Sequence, residues 1–361
     1  MAKDEDWVRQ TLKIGQGKLS RRRLLGGAAG ASAVLGLHQA VPHNGLHHAV
    51  DDAFAQDGHG GGHDIQGGPT VVHPAHSGAV GRVDPRTNGF DPQAMLRDFD
   101  EGRVTGGVRE WELVAEEKTI EVAPGVKYDA WAYNGRVPGP TLRAREGERL
   151  RVRFVNGGRH PHTIHFHGIH TARHDGVSGV GRGDIQPGES FTYEFDAVPF
   201  GMHLYHCHSI PLAEHIAKGL YGAFIIDPKQ GRPEADELLM VMNGFDTNFD
   251  RSNEVYAVNT VAFEFLHRPV VVKRDQPVRI YLVNMLEFDF VNSFHIHANF
   301  FDYYPTGTKL EPRDFTDTVV LGQGERGIAE VRFPYAGKYM FHAHVSEFAE
   351  LGWMGFFEVV E

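Results

Sequence analysis

The chain has a single cysteine, Cys207, among its 361 residues. An internal disulfide is therefore excluded, and the lone thiol needs another explanation. No apolar run is long enough to span a membrane. Positive charge is also short: 36 Lys and Arg face 47 Asp and Glu, a formal charge of -11, which argues against nucleic acid as a partner. Methionine is scarce, with 8 copies that form no tract. What the chain does have is histidine, 23 copies, together with 43 Gly and 19 Pro. The Gly and Pro suit a turn-rich, all-β protein. The histidines exceed what packing or buffering needs.

The length leaves room for two domains of ordinary size. Residues 1–55 read as a twin-arginine export signal. Ser20-Arg21-Arg22-Arg23-Leu24-Leu25 is followed by a mildly apolar stretch to Leu37, and Ala53-Phe54-Ala55 offers a cleavage site. A periplasmic or extracellular location is expected. Residues 56–104 read as a flexible linker rich in His and Gly, with His59 and His63 incidental to it.

From Thr105 onward, short apolar and polar alternations are bounded by Gly, Pro and Asn. Leu150–Val155 and Phe191–Phe195 are predicted half-buried strands. The second half then repeats the first. Trp131-Ala132-Tyr133-Asn134-Gly135 is echoed by Tyr256-Ala257-Val258-Asn259-Thr260, and Val152–Asn156 by Ile280–Asn284. His165-Phe166-His167 returns as His295-Ile296-His297, and His206-Cys207-His208 as His342-Ala343-His344. Two Greek-key β-sandwiches, residues 105–230 and 231–361, joined near Asp227–Ala235, account for these pairs.

Alternate side chains on a strand face opposite ways. His206 and His208 therefore point one way and Cys207 the other. His162 lies three residues before His165, so its parity puts it on the side of Cys207. His215 follows eight residues after Cys207. Two His and one Cys form the trigonal core of a blue-copper site. The weak axial position, five residues after His215, is Leu220, which predicts a three-coordinate copper of raised potential. The second repeat has Ala343 for the cysteine and Asn292 for the upstream histidine, and no histidine follows His344. Four His-x-His pairs supply eight imidazoles, too many for one ion and enough for a cluster.

These motifs, with Asp175-Gly176-Val177 and Asn134-Gly135-Arg136-Val137-Pro138-Gly139-Pro140, resemble the multicopper oxidases from about Thr105 to Glu361. The resemblance implies two cupredoxin-like domains and a laccase-like enzyme with type 1 copper in the first domain only. It assigns type 1 copper to His162, Cys207 and His215, and type 2 copper to His165 and His295. It gives the type 3 pair His167, His206, His208, His297, His342 and His344, for about four coppers per chain. Asp175 is expected to help deliver protons during reduction of dioxygen, with a plain turn aspartate as the alternative. Electrons are expected to leave the substrate, a phenol or aromatic amine, through the edge of His162 or His215. Related two-domain oxidases close as rings of three, so a homotrimer with clusters between subunits is expected. A copper nitrite reductase and a non-enzymatic copper-binding protein are the alternatives. The other core histidines, 160, 170, 174, 203 and 267, are expected to serve packing or solvent contact, as is Glu214.

Overall fold

The computed structural model describes residues 82–361. The expected export signal, His59, His63 and residues 56–81 of the expected linker lie outside the described residues.

The architecture is all-β, built from two cupredoxin-like sandwiches. In the first, one sheet orders the strands Phe99–Asp100, Thr141–Arg145, Tyr221–Asp227, Gly201–His206 and His165–Phe166. The facing sheet runs Arg103–Thr105, Val108–Ala123, Arg149–Asn156, Ser190–Asp196, with Val126–Tyr133 paired to Val108–Ala123. Arg149–Asn156 shows why such a strand forms. Leu150, Val152 and Phe154 are fully buried on one face. The alternating Arg149, Arg151 and Arg153 reach carboxylates on neighbouring strands, including Glu194, Glu110 and Glu112.

The second sandwich repeats the plan. A six-stranded sheet contains Asp236–Phe245 and Val278–Asn284. A five-stranded sheet contains Gly337–His342 and Val291–Ile296.

The two sandwiches share an apolar seam. In the strand Tyr221–Asp227, Phe224 and Ile226 belong to the first core, while Tyr221, Ala223 and Ile225 belong to the seam. Leu239, Val241, Tyr281 and Val283 fill the seam from the other side. A strand that is apolar on both faces is what a position between two layers demands. Among the described residues, no helix is long and apolar enough to cross a membrane.

The flexible linker expected to run to residue 104 ends earlier. Asp84 and Asp91 cap the one-turn helices Pro85–Asn88 and Pro92–Met95, each accepting a backbone N–H two residues on. Leu96 is fully buried, and its carbonyl accepts the N–H of Leu239 at 2.8 Å. Phe99–Asp100 then joins Thr141–Arg145 as a parallel edge strand. A single capped turn is too short to show apolar periodicity, so its sequence resembles loop.

Candidate metal centres

His162 enters through a loop pinned by Asn156, whose side-chain amide donates to the carbonyls of His160 and Ile185. The backbone of His162 exchanges two hydrogen bonds with Ile185. Cys207 follows directly on the strand Gly201–His206, and its N–H bonds the Leu220 carbonyl at 2.9 Å. His215 sits on the helix Leu212–Ala217. These three elements bring three ligand atoms together. Cys207 Sγ is 3.1 Å from His215 Nδ1 and 3.8 Å from His162 Nδ1, and the two nitrogens are 3.2 Å apart. All three side chains are buried.

Burial sets their charge states. It pushes His162 down to about 3 and His215 to about 4, so both imidazoles are neutral at ordinary pH. It pushes the Cys207 thiol up, so a proton has to leave before the sulfur can act as an anion. Two neutral nitrogens and one sulfur facing each other at these distances place lone pairs in opposition. A soft cation between them resolves that, and this donor set suits copper. Leu220 is fully buried in the same core cluster as Cys207 and offers no ligand atom.

The opposite faces carry the His-x-His pairs. In the first sandwich, His165 has ring centroids 5.0 Å from His167, 5.4 Å from His206 and 5.4 Å from His208. In the second, His295 lies 5.0 Å from His297, 5.3 Å from His342 and 5.3 Å from His344. The quartets match pair by pair. Their nitrogens are also set alike. His206 Nδ1 donates to the Cys207 carbonyl at 2.8 Å, and His342 Nδ1 to the Ala343 carbonyl at 2.7 Å. His165 Nδ1 donates to the Asp175 carbonyl at 2.7 Å, and His295 Nδ1 to the Asp317 carbonyl at 3.0 Å. Each bond fixes the tautomer that leaves the Nε2 lone pair free for a metal. His208 Nδ1 is buried and has no protein partner.

Among the described residues, no group of three mutually close ligand atoms draws on both quartets: His165, His167 and His206 form one such group, and His295, His297 and His342 another. His297 and His344 of the second quartet are exposed. Among the described residues, the two quartets are thus separate groups of imidazoles.

Asp175 stands beside the first quartet, its carboxylate oxygen 3.1 Å from His165 Nδ1. Gly176 makes this approach possible: its φ is +68°, and a Cβ there would lie 1.8 Å from the Ile164 carbonyl oxygen.

Of the residues expected only to pack, His203 does so, buried between the carbonyls of Pro199 and His167. His170 does more than expected, with Nε2 at 3.5 Å from the Asp175 carboxylate. The 3-10 turn Ala172–His174 bends the chain back for that contact, and spacing alone did not reveal it. Two further residues were missed. Asp317 takes the place of Asp175 in the second repeat, contributing its carbonyl, with internal symmetry as the only signal. Trp131 covers the cluster of His162, Cys207 and His215, its ring 5.2 Å from His162 and 4.8 Å from His215. His162 and His215 are 1% and 2% exposed, so neither imidazole offers the open edge expected for a substrate.

Comparison with known proteins agrees with this geometry. Residues 114–231 and 232–361 each match a family description that reads multicopper oxidase. A crystal structure titled as a multicopper oxidase is 61% identical, with a TM-score of 0.76, over 77% of this chain and 100% of its own. The copper-containing nitrite reductase of Neisseria gonorrhoeae is 31% identical over 252 residues, which are 63% of this chain and 62% of that protein's length. Laccase-2 of Botryotinia fuckeliana is 39% identical over 127 residues, 34% of this chain and 21% of its own.

Proposed function

The chain belongs to the multicopper oxidase family, and on that premise we propose that it couples one-electron oxidation of phenols or aromatic amines to four-electron reduction of dioxygen to water. Copper at the two kinds of centre supplies the redox chemistry when bound. The protein's own residues do the rest. His162, Cys207 and His215 would hold type 1 copper, with Leu220 withholding an axial donor. His165 and His295 would hold type 2 copper. His167, His206, His208, His297, His342 and His344 would hold the type 3 pair. Asp175 sits where a carboxylate can pass protons toward the first quartet.

The observation that carries this reading is the pair of matched histidine quartets. Nitrite reduction at one catalytic copper needs only three imidazoles, so eight in two equal sets favour a three-copper cluster and dioxygen. Four nitrogens in one half-site are too few for three metals. The second quartet of one chain, with His297 and His344 exposed, is therefore read as meeting the first quartet of another. A closed ring of three chains satisfies every half-site by one repeated heterologous contact. The apolar rim around the second quartet supports this: Val291 and Val320 are 45% and 64% exposed, and they line one hollow with His344. Export by the twin-arginine route, to the periplasm or beyond, belongs to the same proposal.

Nitrite reduction remains the second reading because of the similarity to the Neisseria enzyme. Copper analysis with absorption spectroscopy separates the two. About four coppers per chain, a blue thiolate band and a near-ultraviolet shoulder from paired coppers support the oxidase. About two coppers, with the blue band and no shoulder, favour nitrite reduction.

A further inference from the structure

The cover over the blue-copper ligands has a defined construction. Trp131 is 8% exposed and stands edge-on to both imidazoles, at 65° to His162 and 71° to His215. Its backbone N–H bonds the carbonyl of Lys218 at 2.8 Å, directly after the helix that carries His215, which locks ring and ligand together. Against the indole lies His160, 4.7 Å away and at 30°, a stacked and solvent-exposed ring. Trp131 and His160 both line a hollow of about 490 Å³. A second hollow, about 390 Å³, borders the same helix, but no imidazole and no Trp131 atom forms its wall.

The second sandwich provides an internal comparison. Its counterpart of Trp131 is Tyr256, which stacks flat on Phe348, at 4.1 Å and 15°. Phe348 occupies the place of His215: its carbonyl accepts the N–H of Trp353 as the His215 carbonyl accepts that of Leu220. An aromatic residue at this position is thus part of the fold. What the first sandwich adds is the edge-on setting against two ligands and the outward stack with His160.

Resting on the type 1 assignment above, we propose that the reducing substrate docks in the hollow against His160 and that its electron reaches the type 1 site through Trp131. The donor is a ring bearing a hydroxyl or amino group, which can stack on His160. It loses one electron and releases its proton to water, while copper(II) at Cys207, His162 and His215 gains that electron and becomes copper(I). The indole returns unchanged. It matters because electronic coupling falls steeply across empty gaps, and aromatic contacts bridge the distance from the hollow to both ligands.

The test uses copper-loaded full-length protein and hydroquinone, mixed without oxygen, following loss of the blue band. Trp131→Leu should slow that loss about tenfold while band position and type 1 potential stay as in wild type. Trp131→Phe should hold the rate within about threefold of wild type, since a ring remains. Copper(II) titrated into the metal-free protein should quench an indole emission that Trp131→Phe removes. A Leu variant that bleaches at the wild-type rate would overturn the proposal. Should Leu alter the band itself, His160→Ala gives the same comparison from the outer ring: slower bleaching supports the route and an unchanged rate overturns it. Wild-type protein without any blue band would overturn the type 1 assignment, a different failure.

Discussion

His206 and Cys207 are bound to each other twice, by the chain and by a 2.8 Å hydrogen bond from the imidazole Nδ1 to the Cys207 carbonyl. The sulfur of Cys207 meets His215 on one side, while its carbonyl fixes an imidazole of the histidine quartet on the other. One residue therefore touches both centres, and the path between them is a few covalent bonds plus one hydrogen bond. His342 and Ala343 keep the same bond at 2.7 Å without a sulfur.

Replacing Cys207 by Ser should remove the blue band and about one copper per chain, while the near-ultraviolet shoulder of the quartet coppers remains. Copper analysis and absorption on one sample check this. Loss of the shoulder together with the band would mean that the two centres are not separately assembled.

Val320 lies opposite Ser293 on the strand beside His295 and is well exposed. Val320→Asp puts a charge on the face that the proposed ring buries, where an unpaired charge costs several kcal/mol. The variant should sediment as a monomer, keep its blue band and lose the shoulder. A variant that stays trimeric with a full complement of copper would rule this face out as the contact.

Asp175→Asn keeps the shape and turn propensity of the side chain but not its ability to carry a proton. Oxygen uptake should fall about a hundredfold with the blue band intact, in line with the loss of a general acid. Unchanged uptake would identify Asp175 as a turn residue only, since Asn serves a turn before glycine equally well.

Burial holds His162 at about 3 and both His206 and His215 at about 4 in the metal-free protein, below the ordinary value of 6.5. Between these values and 6.5 the unfolded chain binds protons that the folded chain refuses. Stability therefore rises with pH across that window, is full above about 6.5 and is lost as pH falls through it. Urea midpoints of the metal-free protein should drop from pH 7.5 to 5.5 to 4.5. A midpoint that holds or rises on acidification would contradict the assignment of neutral, buried imidazoles.

Much of this was legible in the sequence, for a physical reason. A strand has a period of two, so His-x-His and His-Cys-His state directly which side chains share a face. The repeat of these motifs located both quartets, and it set Ala343 and Asn292 where the first repeat has Cys207 and His162. Contacts that depend on closure of the fold were not legible. Trp131 reaches His215 only after the chain has travelled around the sandwich, and nothing local marks it as a cover. His170 reaches Asp175 through one 3-10 turn. Leu96 looked like linker because two capped turns and an edge strand carry no periodic pattern, although its side chain is fully buried.

Ala343 has a consequence for the assembly as a whole. With no thiolate in the second sandwich, each cluster of the proposed ring has one supply line, from the first sandwich that forms its other half. The three chains then work as parallel circuits rather than a shared grid. Rings reassembled from wild-type and Cys207→Ser chains should lose oxygen uptake in straight proportion to the altered share, each silent subunit darkening its own cluster and no other.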